Sequence, residues 1–145
     1  MSSATVLIVD DSPDIRVILK RLLTSKGYRV VEAANGHQAV QVARQCCPQL
    51  VITDLGLPGM DGWEVARHIR TDPALEETPI IAMTGYGLAS TLRSATHAGC
   101  QRVLQKPFEL EELEREVTAL TSISPSLAGK RGCYFEDSAA LVGDL

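Results

Sequence analysis

The chain has 145 residues, 45% of them hydrophobic, and 18 acidic against 14 basic side chains give a formal net charge of −4. That length fits one compact domain with a two-sided core that needs neither disulfides nor a structural metal, and the acidic balance offers no electrostatic footprint for nucleic acid or an anionic membrane surface. No apolar run approaches the roughly 20 residues of a membrane span, and Met1-Ser2-Ser3-Ala4 lacks a basic segment followed by an apolar one, so a cytoplasmic location is expected.

Short apolar runs alternate with amphipathic segments, the pattern of strand-helix units around a parallel sheet. Thr5–Val9 (TVLIV) reads as a fully buried strand, and Ser12-Pro13 supplies the N-cap and first-turn proline of a helix. Ile15, Ile18, Leu19, Leu22 and Leu23 fall on one helical face, until Gly27 ends it. Arg29–Ala33 is the second strand, and the helix after Asn35-Gly36 carries an inward stripe of Ala39, Val42, Ala43, Cys46 and Cys47, closed by Pro48. Residues 50–53 (LVIT) form the third strand and run into Asp54, followed by a tightly turned loop with Gly56, Pro58, Gly59 and Gly62. A short helix over 63–70, an Asp72-Pro73 break and the fourth strand, Ile80–Thr84, come next.

Beyond Gly85 and Gly87, a sparsely apolar helix with Leu88, Leu92 and Ala95 ends at Gly99. Arg102–Gln105 is the fifth strand, and Lys106-Pro107 leads into a helix with Leu110, Leu113, Val117 and Leu120 at helical spacing. The domain is expected to span 1–121, with 122–145 a flexible or partner-docked tail, because that stretch shows no sustained periodicity. The expected fold is an α/β, flavodoxin-like doubly wound five-stranded parallel sheet of order 2-1-3-4-5 with helices on both faces. Cys46, Cys47, Cys100 and Cys133 form no C-x-x-C pair and read as reduced thiols. His37, His68 and His97 read as ordinary exposed histidines without catalytic partners.

Open parallel sheets gather their sites beyond the C-terminal ends of the strands. Here those ends carry Asp10-Asp11, Asp54, Thr84 and Lys106, which should meet on one edge. Three crowded carboxylates cannot all stay ionised without compensation, and a hard cation provides it. Mg2+ takes six oxygen ligands at about 2.1 Å and keeps several waters, so two carboxylates, one backbone carbonyl and water satisfy it and leave positions for phosphoryl oxygens. One carboxylate can then attack phosphorus to form an aspartyl phosphate. Lys106 is placed to pair with a phosphoryl oxygen, and Thr84 to donate a hydrogen bond to another.

Over residues 5–120 the chain resembles the response-regulator receiver family of two-component signalling. The matching pieces are Asp10-Asp11 after an apolar strand, Asp54 followed by Leu57-Pro58-Gly59-Met60-Asp61-Gly62, Thr84-Gly85, and Lys106-Pro107-Phe108. The resemblance implies Asp54 as phosphoacceptor, Asp11 as a direct Mg2+ ligand, Asp10 as a ligand largely through water, and the Gly56 carbonyl in the metal shell. It also implies a cis Lys106-Pro107 peptide.

A sensor histidine kinase or histidine phosphotransfer protein is the implied donor, and a downstream protein reading the last two helices and last strand is the implied target. No direct nucleic-acid or membrane contact is implied, and the chain is expected as a monomer or weak dimer. Such a receiver catalyses its own phosphorylation and slow dephosphorylation without being an enzyme. Alternatives are a relay intermediate or phosphate sink, a receiver excised from a hybrid kinase, and, remotely, an aspartate-nucleophile phosphohydrolase, which would want an acid where Gly56 stands. Two departures from the family pattern concern signalling. Val103 occupies the place of the usual rotating aromatic, and Gly56 and Tyr86 occupy the positions that tune phosphoryl hydrolysis.

Overall fold

Val6, Leu7, Ile8 and Val9 are wholly buried because β1 (Thr5–Val9) runs through the interior of a sheet covered on both faces. The computed structural model describes residues 4–57, 60, 62–85, 100 and 102–123. Around β1 lie β2 (Arg29–Ala33), β3 (Leu50–Asp54), β4 (Ile80–Thr84) and β5 (Arg102–Gln105), all parallel and in the order β2-β1-β3-β4-β5. Side chains alternate between the faces. Val6, Ile8, Leu50, Ile52, Ile81, Met83 and Leu104 join one apolar cluster, and Leu7, Val9, Val51 and Ile80 join the other.

Four helices are described. α1 (Pro13–Ser25) starts at Ser12, whose side chain accepts the Ile15 N–H at 3.4 Å, and ends where Gly27 takes a φ of 95°. Asn35 caps α2 (Gly36–Cys46) by accepting the Gln38 N–H at 2.8 Å. α3 (Gly62–Thr71) and α2 cover one face of the sheet, while α1 and α4 (Leu110–Ile123) cover the other.

The inward stripe of α2 is buried as expected, including Cys46 and Cys47. The stripe expected on α1 is only partly so: Leu19 and Leu23 are buried, but Ile18 is 46% exposed and Ile15 and Leu22 are half-buried. Leu110, on the inward spacing of α4, is 41% exposed. Of these, Ile15, Ile18, Leu19 and Leu110 line a groove left between the start of α4 and α1, described below. Cys46 and Cys100 are free thiols as expected, and Cys133 lies outside the described residues. His37 and His68 are exposed as expected. The helix expected around Leu88, Leu92 and Ala95, together with Tyr86, His97 and the tail after residue 123, lies outside the described residues.

Candidate functional site

Strand register brings the expected residues together. Val9 pairs with Thr53, so the next residue on each strand sets Asp10 beside Asp54. Asp54 pairs with Met83, and Thr84 with Gln105, which places Thr84 and Lys106 one step farther along the same edge. Continuing the alternation from Ile8, Ile52 and Leu104 directs Asp10, Asp54 and Lys106 to the same side of the sheet.

The side chains confirm that convergence. Asp10, Asp11 and Asp54 each offer a carboxylate oxygen within 4.8 Å of the others. Lys106 Nζ lies 3.4 Å from Asp10 Oδ2 and 3.5 Å from Asp54 Oδ2. Asp10 is 1% exposed, Asp54 is half-buried and Asp11 is exposed. Asp10 Oδ1 accepts the Ser12 N–H at 2.9 Å, and Asp54 Oδ1 accepts the Gly56 N–H at 3.2 Å. Thr84 is fully buried, and its carbonyl accepts the Lys106 N–H at 2.6 Å, just before a cis Lys106-Pro107 peptide.

Burial pushes the Asp10 carboxyl above its ordinary pKa, outweighing the opposing pull of the Ser12 N–H and the Lys106 ammonium; the Asp54 charge adds to the rise. An ionised Asp10 is therefore a cost that a further cation would relieve. The donor set suits Mg2+, being all hard oxygen. The three carboxylate oxygens, all within 4.8 Å of one another, lie close enough to converge on one such cation.

Two features escaped the sequence. Arg16 Nη1 donates to the Asp10 carbonyl at 2.6 Å while its Nε meets Glu32 Oε1 at 3.1 Å. The only signal for it was a cation facing polar surroundings one turn into α1. Beside the acidic cluster, Ile15, Ile18, Leu19, Pro107, Phe108 and Leu110 line an apolar groove of about 580 Å³, and Lys106 forms part of its wall.

The family model described as "Response regulator receiver domain" matches residues 6–118. The chain belongs to the response-regulator receiver family. It is 33% identical over 117 residues to Sporulation initiation phosphotransferase F of Bacillus subtilis (strain 168), covering 81% of this chain and 93% of that protein. It is 37% identical over 115 residues to the probable transcriptional regulator ycf27 of Guillardia theta, covering 79% of this chain but spanning only 44% of that protein. Among solved structures it resembles the receiver domain of the Pseudomonas aeruginosa PAO1 sensor histidine kinase PA1611, with a TM-score of 0.76 and 32% identity, covering 83% of this chain and 99% of that one. That structure carries a magnesium ion coordinated in its active-site cleft. This receiver has Val103 half-buried on β5, paired with Ala82, where the family's usual aromatic would stand. Among the described residues, no helix is long and apolar enough to cross a membrane.

Proposed function

We propose that this receiver is a phosphorylation-dependent switch in which Asp54 accepts a phosphoryl group from a phosphohistidine on a sensor histidine kinase or phosphotransfer protein. The observation that carries the reading is an ammonium, Lys106 Nζ, held 3.5 Å from a half-buried Asp54 carboxylate that Asp10 and Asp11 also approach. An Asp54 carboxylate oxygen attacks phosphorus, and the phosphorus–nitrogen bond to the donor imidazole breaks. Its electron pair stays on the ring, which takes up a proton from solvent. Lys106 then pairs with a phosphoryl oxygen, and the Thr84 hydroxyl donates to another. When bound, Mg2+ supplies charge neutralisation and open positions for phosphoryl oxygens, and Asp10, Asp11, Asp54 and the Gly56 carbonyl would hold it.

The donor must lay its histidine over this edge, and the apolar groove beside Lys106 offers a helix from the donor a place to rest, with Ile18 and Leu110 already exposed to it. Output runs through contact with a downstream protein. In this reading residues 1–121 form the receiver and 122–145 an appended tail. The likeness to a protein named a phosphotransferase supports a second reading, in which the phosphoryl group is passed onward rather than read in place.

Acetyl phosphate with Mg2+ is the direct test, followed by intact mass measurement. The wild type should gain the mass of one phosphoryl group and Asp54→Asn should gain none. A retained gain in that variant overturns the assignment.

A further inference from the structure

We propose that Arg16 is a positioning residue for the acidic pair, clamping the Asp10 carbonyl to Glu32 and so setting the angle at which Asp10 and Asp11 present their carboxylates. The inference rests on the reading of those carboxylates as the Mg2+ site.

The chain leaves the sheet just here. The Asp10 N–H still donates to the Ala33 carbonyl at 3.2 Å, which ties the near side of the residue to β2. Its carbonyl lies past the last residue of β1 and belongs to the peptide that carries Asp11, so whatever holds that oxygen orients the Asp11 Cα. Arg16 holds it at 2.6 Å. The helix supplies the reach: Arg16 N–H makes an early α1 bond to the Ser12 carbonyl at 3.2 Å, and helical side chains lean back toward the N-terminus, here toward the Asp10 turn.

The guanidinium is itself fixed. Its Nε meets Glu32, one residue before the end of β2, and Glu32 also receives Lys20 Nζ at 3.4 Å. The corner after β2 is braced by the Ala34 N–H donating to Gln38 Oε1 at 2.7 Å. Arg16 and Glu32 side chains are 18% and 27% exposed, so the clamp is shielded from full solvent competition. A rigid planar fork satisfies a carboxylate and a carbonyl in two fixed directions, whereas a lysine ammonium cannot reproduce both. Loss of a group that orients a metal ligand typically costs about ten- to a hundredfold in metal affinity.

The test is an Mg2+ titration of the full chain followed by backbone amide NMR shifts, paired with thermal melts without metal, on the wild type, Arg16→Lys, Glu32→Gln and the double variant. Arg16→Lys should raise the Mg2+ Kd roughly tenfold and shift the Asp11 and Ser12 amides in the metal-free protein. Glu32→Gln should raise the Kd less, and the double variant should be no worse than Arg16→Lys, because the two side chains act as one unit. A purely structural arginine would lower the melting temperature with the Mg2+ Kd and the Asp11 amide unmoved, and that result overturns the proposal alone. A wild type that binds no Mg2+ overturns the metal reading and this proposal with it.

Discussion

Replacing Lys106 with methionine removes the cation that stands between Asp10 and Asp54 while keeping an apolar stem against the groove. The ammonium lies 3.4 and 3.5 Å from the two carboxylates, of which Asp10 is 1% and Asp54 13% exposed at the side chain. Coulomb's law at an effective dielectric of 20 gives about 5 kcal/mol for one such pair before the cost of desolvating Lys106 is subtracted. With Lys106 itself 31% exposed, solvent screening reduces this to a net loss of roughly 1–2 kcal/mol in the metal-free protein. Mg2+ should restore more stability to the variant than to the wild type, because the same carboxylates then lack their internal counter-ion. Phosphoryl uptake should nonetheless fall roughly a hundredfold even with Mg2+, as expected when a preorganised donor to the transferring oxygens is lost. Urea melts with and without Mg2+ and a time course of intact mass with acetyl phosphate give the three numbers. A variant as stable as the wild type without metal, or one phosphorylated at the wild-type rate, refutes the reasoning.

Asp10→Asn should stabilise the metal-free chain at neutral pH. Burial raises the Asp10 pKa above 3.8, so its contribution is fully favourable only below that value and is lost as pH rises through the raised folded value. The gain should vanish in melts taken below about pH 3.8, and an equal gain at every pH would mean that charge burial is not its source. Gly36→Ala should cost roughly 1–3 kcal/mol in urea melts. The added Cβ would stand 2.6 Å from the Met60 carbonyl oxygen and 2.7 Å from its Cβ, forcing the loop after β3 off α2, so an unchanged midpoint contradicts that packing. Gly56→Asn should shorten the phosphoprotein lifetime, because an exposed glycine two residues after the proposed acceptor Asp54 offers no side chain to hold an attacking water. Slower or unchanged decay in the variant, followed with Mg2+ present, shows that position 56 does not control hydrolysis.

Most of the fold was legible because two periodicities hold wherever packing is two-sided. The runs Thr5–Val9 and Ile80–Thr84 are buried throughout, and the stripe of α2 alternates as an inward face must. The convergence of Asp10, Asp11, Asp54 and Lys106 followed from strand order alone, since parallel strands share one C-terminal edge. What escaped has a common cause: it depends on contacts between remote segments. Ile18 and Leu110 carry the pattern of core residues, yet the space between α1 and α4 is not filled, so the same apolar spacing lines an open groove. Arg16 looks like any solvated helix cation until the fold lays it over the turn after β1.

Charge bookkeeping at the edge explains why one lysine can link chemistry to surface under the proposed function. Asp10, Asp11 and Asp54 carry three negative charges when ionised and Lys106 one positive, leaving −3 + 1 = −2 before any metal binds. A bound Mg2+ would bring that sum to zero, and an arriving phosphoryl group would make the site negative again, with its charge outward of Asp54. Under this reading the ammonium, now 3.4 Å from Asp10 and 3.5 Å from Asp54, would leave them for a phosphoryl oxygen. Lys106 is also a wall of the apolar groove and the residue before the cis peptide to Pro107, and its N–H is bonded to the Thr84 carbonyl. A displacement of its side chain thus reshapes the surface where Ile18, Phe108 and Leu110 meet. Val103 offers no aromatic ring to rotate, and under this reading Lys106 gives a short path from the phosphoryl group to an outer surface. Any partner that distinguishes the two states by this groove must sense the lysine's position, and Lys106→Met should leave such a partner unable to tell them apart even when phosphorylation is driven to completion.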